Sequence, residues 1–352
     1  MKNFNTKKEI VIENNSSKDN TISNVNNDST IPMEEEVEKY NTINLEPNFI
    51  PEKLSKTNSS SDLNYSVSTA YSSNTLSLEE SNNSLNESNI KADSCSRDLL
   101  EEIYTNLILD EKTPNLRIKQ DFMNRQKDIN TQMRAILIDW LIEIHNCFHL
   151  KQKTLFQCIY IIDLYLSIKS ILRIKLQLLG TTSLLISCKA NEIYCPSLQQ
   201  FIDITNGAYS KNEILKMEVD VLKTLNFQIL FPTAEEFYNI LSKVYNFNEI
   251  QTNLGNYFLD SSLIDYNLLK YKPSTIGVAC AYIVMKFYGI NGYKDLYSSK
   301  IISGDSPQKN IKECARDLCF LVKNLSNSNL RAAKTKYSSE EFYNVASICD
   351  EK

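Results

Sequence analysis

His145 and His149 bracket Cys147, which places both imidazoles of the chain beside a thiol. Such a set could activate a cysteine nucleophile if an imidazole took the thiol proton. All three residues lie on or just after the apolar run Met133–Phe148, where a core or surface role fits better. Two histidines cannot build a His-rich metal site. Nine cysteines without a C-x-x-C pair argue against a zinc ribbon or a redox motif. The first glycine is Gly180, and neither G-x-G-x-x-G nor G-x-x-x-x-G-K-[ST] occurs, so the usual phosphate cradles are missing. No constellation supports an enzyme, and neither a metal nor a cofactor is expected.

A second group of ionisable residues sits within apolar runs. Arg134 lies in Met-Arg-Ala-Ile-Leu, Asp163 in Ile-Ile-Asp-Leu, and Lys189 ends an apolar helix. Burying any of them alone would cost several kcal/mol, so each needs a partner if buried. Arg134 with Asp163, and Lys189 with Glu218, are pairs of compatible sign, which spacing alone does not assign. The helix carrying Arg134 is apolar on two sides. At 100° per residue, Met133, Ile136, Leu137, Trp140 and Ile144 form one stripe, and Ala135, Ile138 and Ile142 the opposite one. Such a helix is either central to a domain or buried on one face and exposed for binding on the other. Periodicity favours the central core helix.

The elements that must position these residues are helical. Seven glycines and eight prolines in 352 residues are about 4% of the chain, against average usage of roughly 12%. That leaves few Gly/Pro turns and points to helices joined by short loops. Apolar residues recur at helical spacing over 133–148, 154–167, 176–190, 211–225, 235–245, 254–268 and 274–287. Breaks fall at Cys195-Pro196, Asn206-Gly207, Phe231-Pro232, Lys272-Pro273 and Gly289–Gly292. No segment alternates with period two for long, so the fold class is all-α. Residues 1–96 differ from the rest: 18 Ser, 18 Asn and 7 Thr, no Gly or Arg, and 8 Lys against 15 Asp+Glu. Such a stretch cannot bury enough surface to offset ordering entropy, and a disordered tail is expected there. A helical unit over 97–230, including a leading helix, and a second over 231–348 follow, divided at Pro232. Residues 97–352 carry a net charge of +2 and no basic face, which argues against nucleic-acid binding. No apolar run approaches the ~18 residues that span a membrane. An odd number of cysteines without a signal peptide fits a reducing intracellular compartment.

Met133–Ser167 (MRAILIDWLIEIHNCFHLKQKTLFQCIYIIDLYLS) resembles the cyclin-box signature of the A/B-type mitotic cyclins. Phe122-Met123, Gln126 and Asp128-Ile129 are similar to the segment leading into that box. Leu172–Gly180, Glu192-Ile193-Tyr194, Lys216–Phe227 and Pro232-Thr233 follow in family order. Leu263–Ile276 and Lys336–Ser347 extend the resemblance, which spans about residues 97–348. It implies two tandem five-helix cyclin-box domains without catalytic chemistry. It also implies a regulatory subunit that binds and activates a cyclin-dependent kinase, recruits its substrates and controls progression through G2/M and mitosis. Lys189 and Glu218 match the pair that contacts the kinase. Arg134 and Asp163 match a buried ion pair that orients helices of the first box, and Leu178 a core leucine. Met133, Ile136, Leu137, Trp140, Glu143, Arg173, Leu176 and Gln177 match a docking patch for R-x-L peptides of substrates and inhibitors. An apolar groove would take the leucine and Glu143 the arginine. Such a protein is expected in nucleus and cytoplasm.

Several positions depart from the family pattern. Ala190 and Asn191 stand where an aromatic and an acidic residue follow Lys189, Lys153 replaces a Glu, and Leu164 replaces an Arg. The first two put kinase affinity in question and keep open a cyclin-fold scaffold with weak or no activation. A ubiquitin ligase is an expected partner if the N-terminal region carries a destruction signal. Arg97-Asp98-Leu99-Leu100 is an R-x-x-L with Ile103 at the family offset and Asn106 one position late, and it reads better as a helix start capped by Ser96. Ser306-Pro307-Gln308-Lys309 fits a proline-directed kinase consensus, but reads better as a helix start with Ser306 as cap and Pro307 at the first position.

Overall fold

Helices account for the regular structure of the computed structural model, which describes residues 82–113, 118–293, 296 and 308–350; none of the described residues is in a strand. The Ser/Asn-rich stretch through residue 81 and Ser306-Pro307 lie outside the described residues. Helix α1, Asn82–Glu111, runs through Ser96, so that serine is an interior helical residue and not a cap.

Five helices make the first unit: α2 (Thr131–Cys147), α3 (Gln152–Ile168), α4 (Leu176–Asn191), α5 (Leu198–Asp203) and α6 (Lys211–Thr224). The second unit holds α7 (Ala234–Val244), α8 (Glu249–Ile264), α9 (Pro273–Phe287), α10 (Gln308–Leu325), α11 (Ala332–Tyr337) and α12 (Val345–Asp350). Local chemistry sets many of these starts. Ser197–Gln200, Ser210–Glu213, Thr233–Glu236 and Asn248–Gln251 are capping boxes that open α5, α6, α7 and α8. Pro273 opens α9 at a position where its missing N–H costs nothing. Left-handed backbone at Asn206 and Gly207 separates α5 from α6, and at Asn226 and Phe227 it ends α6.

Helix α2 is central. It packs on α3 and α4 of its own unit and on α8 and α11 of the other. Leu137, Ile138, Leu141 and Ile142 are completely buried, so protein covers both apolar stripes except at half-buried Ile136 and Trp140. Where α2 meets α4, a Cβ on Gly180 would come within 2.8 Å of Leu137 Cδ1. The leading helix α1 packs on α7 and α9 of the second unit. Tyr104 meets Phe237 edge-on at 5.2 Å between ring centroids. The Glu111 carboxylate accepts hydrogen bonds from Ser274 N (2.7 Å) and Oγ (2.8 Å), which caps α9.

The second core has no spare volume at Gly255 or at Gly277, where a Cβ would come within 2.7 Å of Ala234 O. A Cβ on Gly255 of α8 would fall inside the phenol of Tyr238, a buried α7 residue whose hydroxyl donates to Gln251 O and Thr252 O. Gly255→Ala is therefore expected to lower stability by about 1–3 kcal/mol, despite the better helix propensity of alanine. Urea denaturation monitored by circular dichroism measures it.

Candidate functional site

The frame beneath the candidate site is a buried ion pair. Arg134 of α2 donates from Nε and Nη2 to the two oxygens of Asp163 on α3, both at 2.6 Å. Both side chains are almost wholly shielded from water. Paired bidentate geometry of this kind satisfies a buried guanidinium. Nη1 donates onward to the carbonyls of Leu263 (3.1 Å) and Ile264 (3.4 Å), at the C-terminus of α8. Cations are favoured at that end of a helix. Arg134 thus joins two helices of the first unit to one of the second, a wider role than orienting the first box alone. Ahead of α2, buried Gln126 donates to Leu166 O (2.7 Å) and Lys169 O (3.0 Å) and accepts from Ile171 N, fixing the end of α3.

Lys189 and Glu218 come together at the surface of the first unit. Lys189 ends α4, Glu218 lies on α6, and their side chains meet at 2.5 Å. The lysine side chain is 50% exposed and the glutamate 13%. Apolar side chains that face water occupy the same stretches of chain: Ile193 and Tyr194 just after α4, Val219 beside Glu218, and Phe227 and Leu230 after α6. Ala190 is exposed and contributes only a methyl group. Asn191 turns back on its own helix, donating to Ser187 O at 3.1 Å, while its carbonyl accepts from Lys151 Nζ at 2.8 Å. Lys153, another departure from the family pattern, pairs with Glu236 across the two units at 2.7 Å.

The second candidate surface needs correction. Met133, Leu137 and Leu176 are core residues, 3%, 0% and 3% exposed; the second unit covers one side of α2 and α4 covers another. Half-exposed Ile136, Trp140, Glu143 and Gln177 remain along α2 and the start of α4. Arg173 is exposed but engaged: its Nε pairs with Asp128 at 3.1 Å, and its backbone N–H donates to the same carboxylate at 2.8 Å. Two carboxylates line this edge one helical turn apart. Burial raises Asp139 to about 6, partly offset by hydrogen bonds from the Ala332 and Arg331 amides. Burial, and then the Asp139 charge, raise Glu143 to about 7. Asp139 caps α11 through Ala332 N at 3.0 Å, whereas Glu143 stays open to the surface.

His145, Cys147 and His149 do not form a catalytic set. His145 is buried and donates from Nε2 to Lys151 O at 3.1 Å. Burial, reinforced by the nearby Lys336 charge, lowers it to about 4 and keeps it neutral. Burial raises the Cys147 thiol, the opposite of activation. His149 is exposed, in left-handed backbone after α2.

A second buried ion pair had no counterpart among the expected residues. Asp260 of α8 accepts from Lys336 Nζ (2.8 Å), Tyr337 Oη (3.0 Å) and Gln152 Nε2 (2.9 Å). It binds α11 and the start of α3 to α8. The signal was present in Tyr-Phe-Leu-Asp-Ser-Ser-Leu, an acid inside an apolar run like Asp163. Among the described residues no cluster of His, Cys, Asp and Glu could hold a metal ion, and no helix is long and apolar enough to cross a membrane.

Comparison with known proteins matches the same two units. The profile of the cyclin N-terminal domain covers residues 102–230, and that of the cyclin C-terminal domain residues 232–351. A G2/mitotic-specific cyclin-B of Spisula solidissima is 35% identical over 270 residues, 75% of this chain and 61% of that protein. A G2/mitotic-specific cyclin-B of Hydra vulgaris is 34% identical over 228 residues, 65% of this chain and 62% of that protein. The chain thus spans about six-tenths of the length of these relatives. Among solved structures, a viral cyclin from herpesvirus saimiri superposes with a TM-score of 0.55 at 18% identity, covering 63% of this chain and 96% of that one.

Proposed function

The chain belongs to the cyclin family, and from that premise we propose that it is the regulatory subunit of a cyclin-dependent kinase acting at G2/M. The names of its relatives, G2/mitotic-specific cyclin-B, support that assignment. The observation that carries it is the Lys189–Glu218 pair, with exposed apolar side chains in the adjoining stretches of chain. A rigid surface of this composition can hold a kinase helix by charge and apolar contact together. Binding the active kinase conformation better than the inactive one shifts the population toward it, with no chemistry done by the cyclin. The kinase then supplies its own Lys–Glu pair and metal-bound phosphates. Nucleus and cytoplasm are the compartments where such a subunit would work.

Replacing the pair tests the interface. Lys189→Ala/Glu218→Ala is expected to cost about 2–4 kcal/mol of binding, or roughly 30- to 1,000-fold in Kd. Calorimetry or surface plasmon resonance with a mitotic cyclin-dependent kinase reads it. Unchanged affinity would exclude this face as the contact.

The half-exposed edge made by Ile136, Trp140, Glu143 and Gln177 is the proposed site for R-x-L peptides. Trp140 and Ile136 would cover the leucine, and Glu143 would receive the arginine. The raised Glu143 makes this recognition pH-dependent. A bound arginine favours the carboxylate, so binding releases a proton and strengthens as pH rises. With Glu143 near 7, its ionised fraction rises about tenfold between pH 6 and 8. Peptide affinity should follow that rise, and Glu143→Gln should flatten it. Fluorescence anisotropy with a labelled R-x-L peptide measures both; a wild-type affinity flat from pH 6 to 8 would remove Glu143 from the site.

A further inference from the structure

Helix α3 opens without a cap of its own. Lys151, its N-cap residue, makes no side-chain hydrogen bond to the helix, and the first turn holds no acid. Lys151 and Lys153 stand at the end of a helix that disfavours cations. The missing carboxylate comes from the far end of α4. Glu192, the residue after that helix, accepts at Oε1 from the Lys151 amide at 2.8 Å and from the Thr154 hydroxyl. Lys151 adds a second tie, donating from Nζ to Asn191 O at 2.8 Å, and its carbonyl accepts from His145 at the end of α2. Gln152 and Lys153 reach the other way, to Asp260 (2.9 Å) and Glu236 (2.7 Å) of the second unit. One turn of helix therefore ties the second unit to the end of α4.

Ile193 and Tyr194 come next in the chain, 81% and 91% exposed. Among the described residues, backbone hydrogen bonds stop at Glu192 N, which donates to Cys188 O at 2.9 Å. They resume at Ser197, whose carbonyl accepts from Phe201 N at 3.3 Å. Glu192 is thus the last such anchor before the two exposed apolar side chains. We propose that Glu192 is a positioning residue for kinase binding: its contact with Lys151 and Thr154 holds the backbone that carries Ile193 and Tyr194, so that both are ordered before the kinase arrives. The role in kinase binding rests on the proposed function; the ordering of the segment does not. The gain is entropic, because side chains fixed in advance lose less freedom on association. Both donors meet one carboxylate oxygen. Thr154 is completely buried, so it cannot touch a partner and acts on one only through Glu192.

The test measures affinity of the full chain for a mitotic cyclin-dependent kinase by surface plasmon resonance, with urea denaturation as the control for folding. Glu192→Ala should weaken binding about fivefold or more. Glu192→Gln should keep most of the affinity, because an amide oxygen accepts from the same two donors. Thr154→Val, which removes one donor at nearly constant shape, should weaken binding in the same direction as Glu192→Ala. In a chain already carrying Ile193→Ala/Tyr194→Ala, adding Glu192→Ala should cost little more, since the residue acts through those side chains. Wild-type affinity in Glu192→Ala or in Thr154→Val would overturn the proposal. Equal losses in Glu192→Ala and Glu192→Gln, or losses that add to Ile193→Ala/Tyr194→Ala, would make Glu192 a direct contact and overturn it as well. Backbone ¹⁵N relaxation reads the ordering with no kinase present. Order parameters at Ile193 and Tyr194 should fall from about 0.85 to below about 0.6 in Glu192→Ala, and unchanged values would overturn the ordering role. That fall in a chain whose wild type binds no kinase would keep the ordering role and reject the proposed function.

Discussion

Replacing Arg134 with methionine is expected to remove about 3–5 kcal/mol from the stability of the fold. The side chain is 1% exposed, so methionine occupies much the same volume, and the loss is electrostatic. Asp163 would be left ionised and buried without its partner. The carbonyls of Leu263 and Ile264 would lose their donor at the end of α8. Removing both charges is predicted to behave differently. Arg134→Met/Asp163→Leu should recover much of the loss, because an apolar pair of similar volume avoids the cost of burying ions. Urea denaturation of the single and double variants gives both numbers. A single variant within 1 kcal/mol of wild type would show that this pair does not hold the two units together.

Lys336→Met is the second large effect, also about 3–5 kcal/mol. Asp260 is completely buried, and among the described residues Lys336 is its one cationic partner; Tyr337 and Gln152 supply neutral donors. Without the lysine, the carboxylate must stay charged in the core or take up a proton, and either outcome destabilises α11 on α8. The contrast is with Lys189. Its side chain is half exposed, so Lys189→Ala should change stability by less than about 1 kcal/mol while costing kinase affinity. Measuring stability and binding on the same three variants separates charges that hold the fold from a charge that meets a partner. Loss of stability in Lys189→Ala comparable to Lys336→Met would erase that distinction.

Helical periodicity located α2, α3, α4, α6, α7 and α9 to within a few residues because each has an apolar stripe and a clear stop. It failed at α8. That helix starts at Glu249 and ends at Ile264, while the apolar pattern suggested 254–268. The start is set by a polar box, Asn248 with Gln251, and the end by Asp265, which caps the 3₁₀ turn that follows. Short α5 and α11 carry too few residues for a period to show. The docking edge was legible as a set of positions but not in depth. Met133 and Leu137 lie on the stripe of α2 and Leu176 opens α4, yet which part of an apolar surface stays wet depends on neighbours distant in sequence. Here α8 and α11 of the second unit pack against α2 and close it. The same reason hid the Lys336–Asp260 pair and placed the leading helix α1 against α7 and α9. Pairing across such distances is decided by tertiary packing, to which local spacing is blind. Lys189–Glu218 and Arg134–Asp163 were predicted as pairs through family resemblance, and the structure brings each together.

The most direct test of the central claim is kinase activation by the full chain. A purified mitotic cyclin-dependent kinase, inactive alone, is mixed with the chain and assayed by phosphorylation of linker histone. The account predicts that activity rises with cyclin concentration to saturation and that Lys189→Ala/Glu218→Ala shifts the curve to much higher concentration. A chain that binds the kinase yet leaves it inactive would contradict the account and make this protein a cyclin-fold scaffold, with Ala190 and Asn191 marking where its interface has diverged.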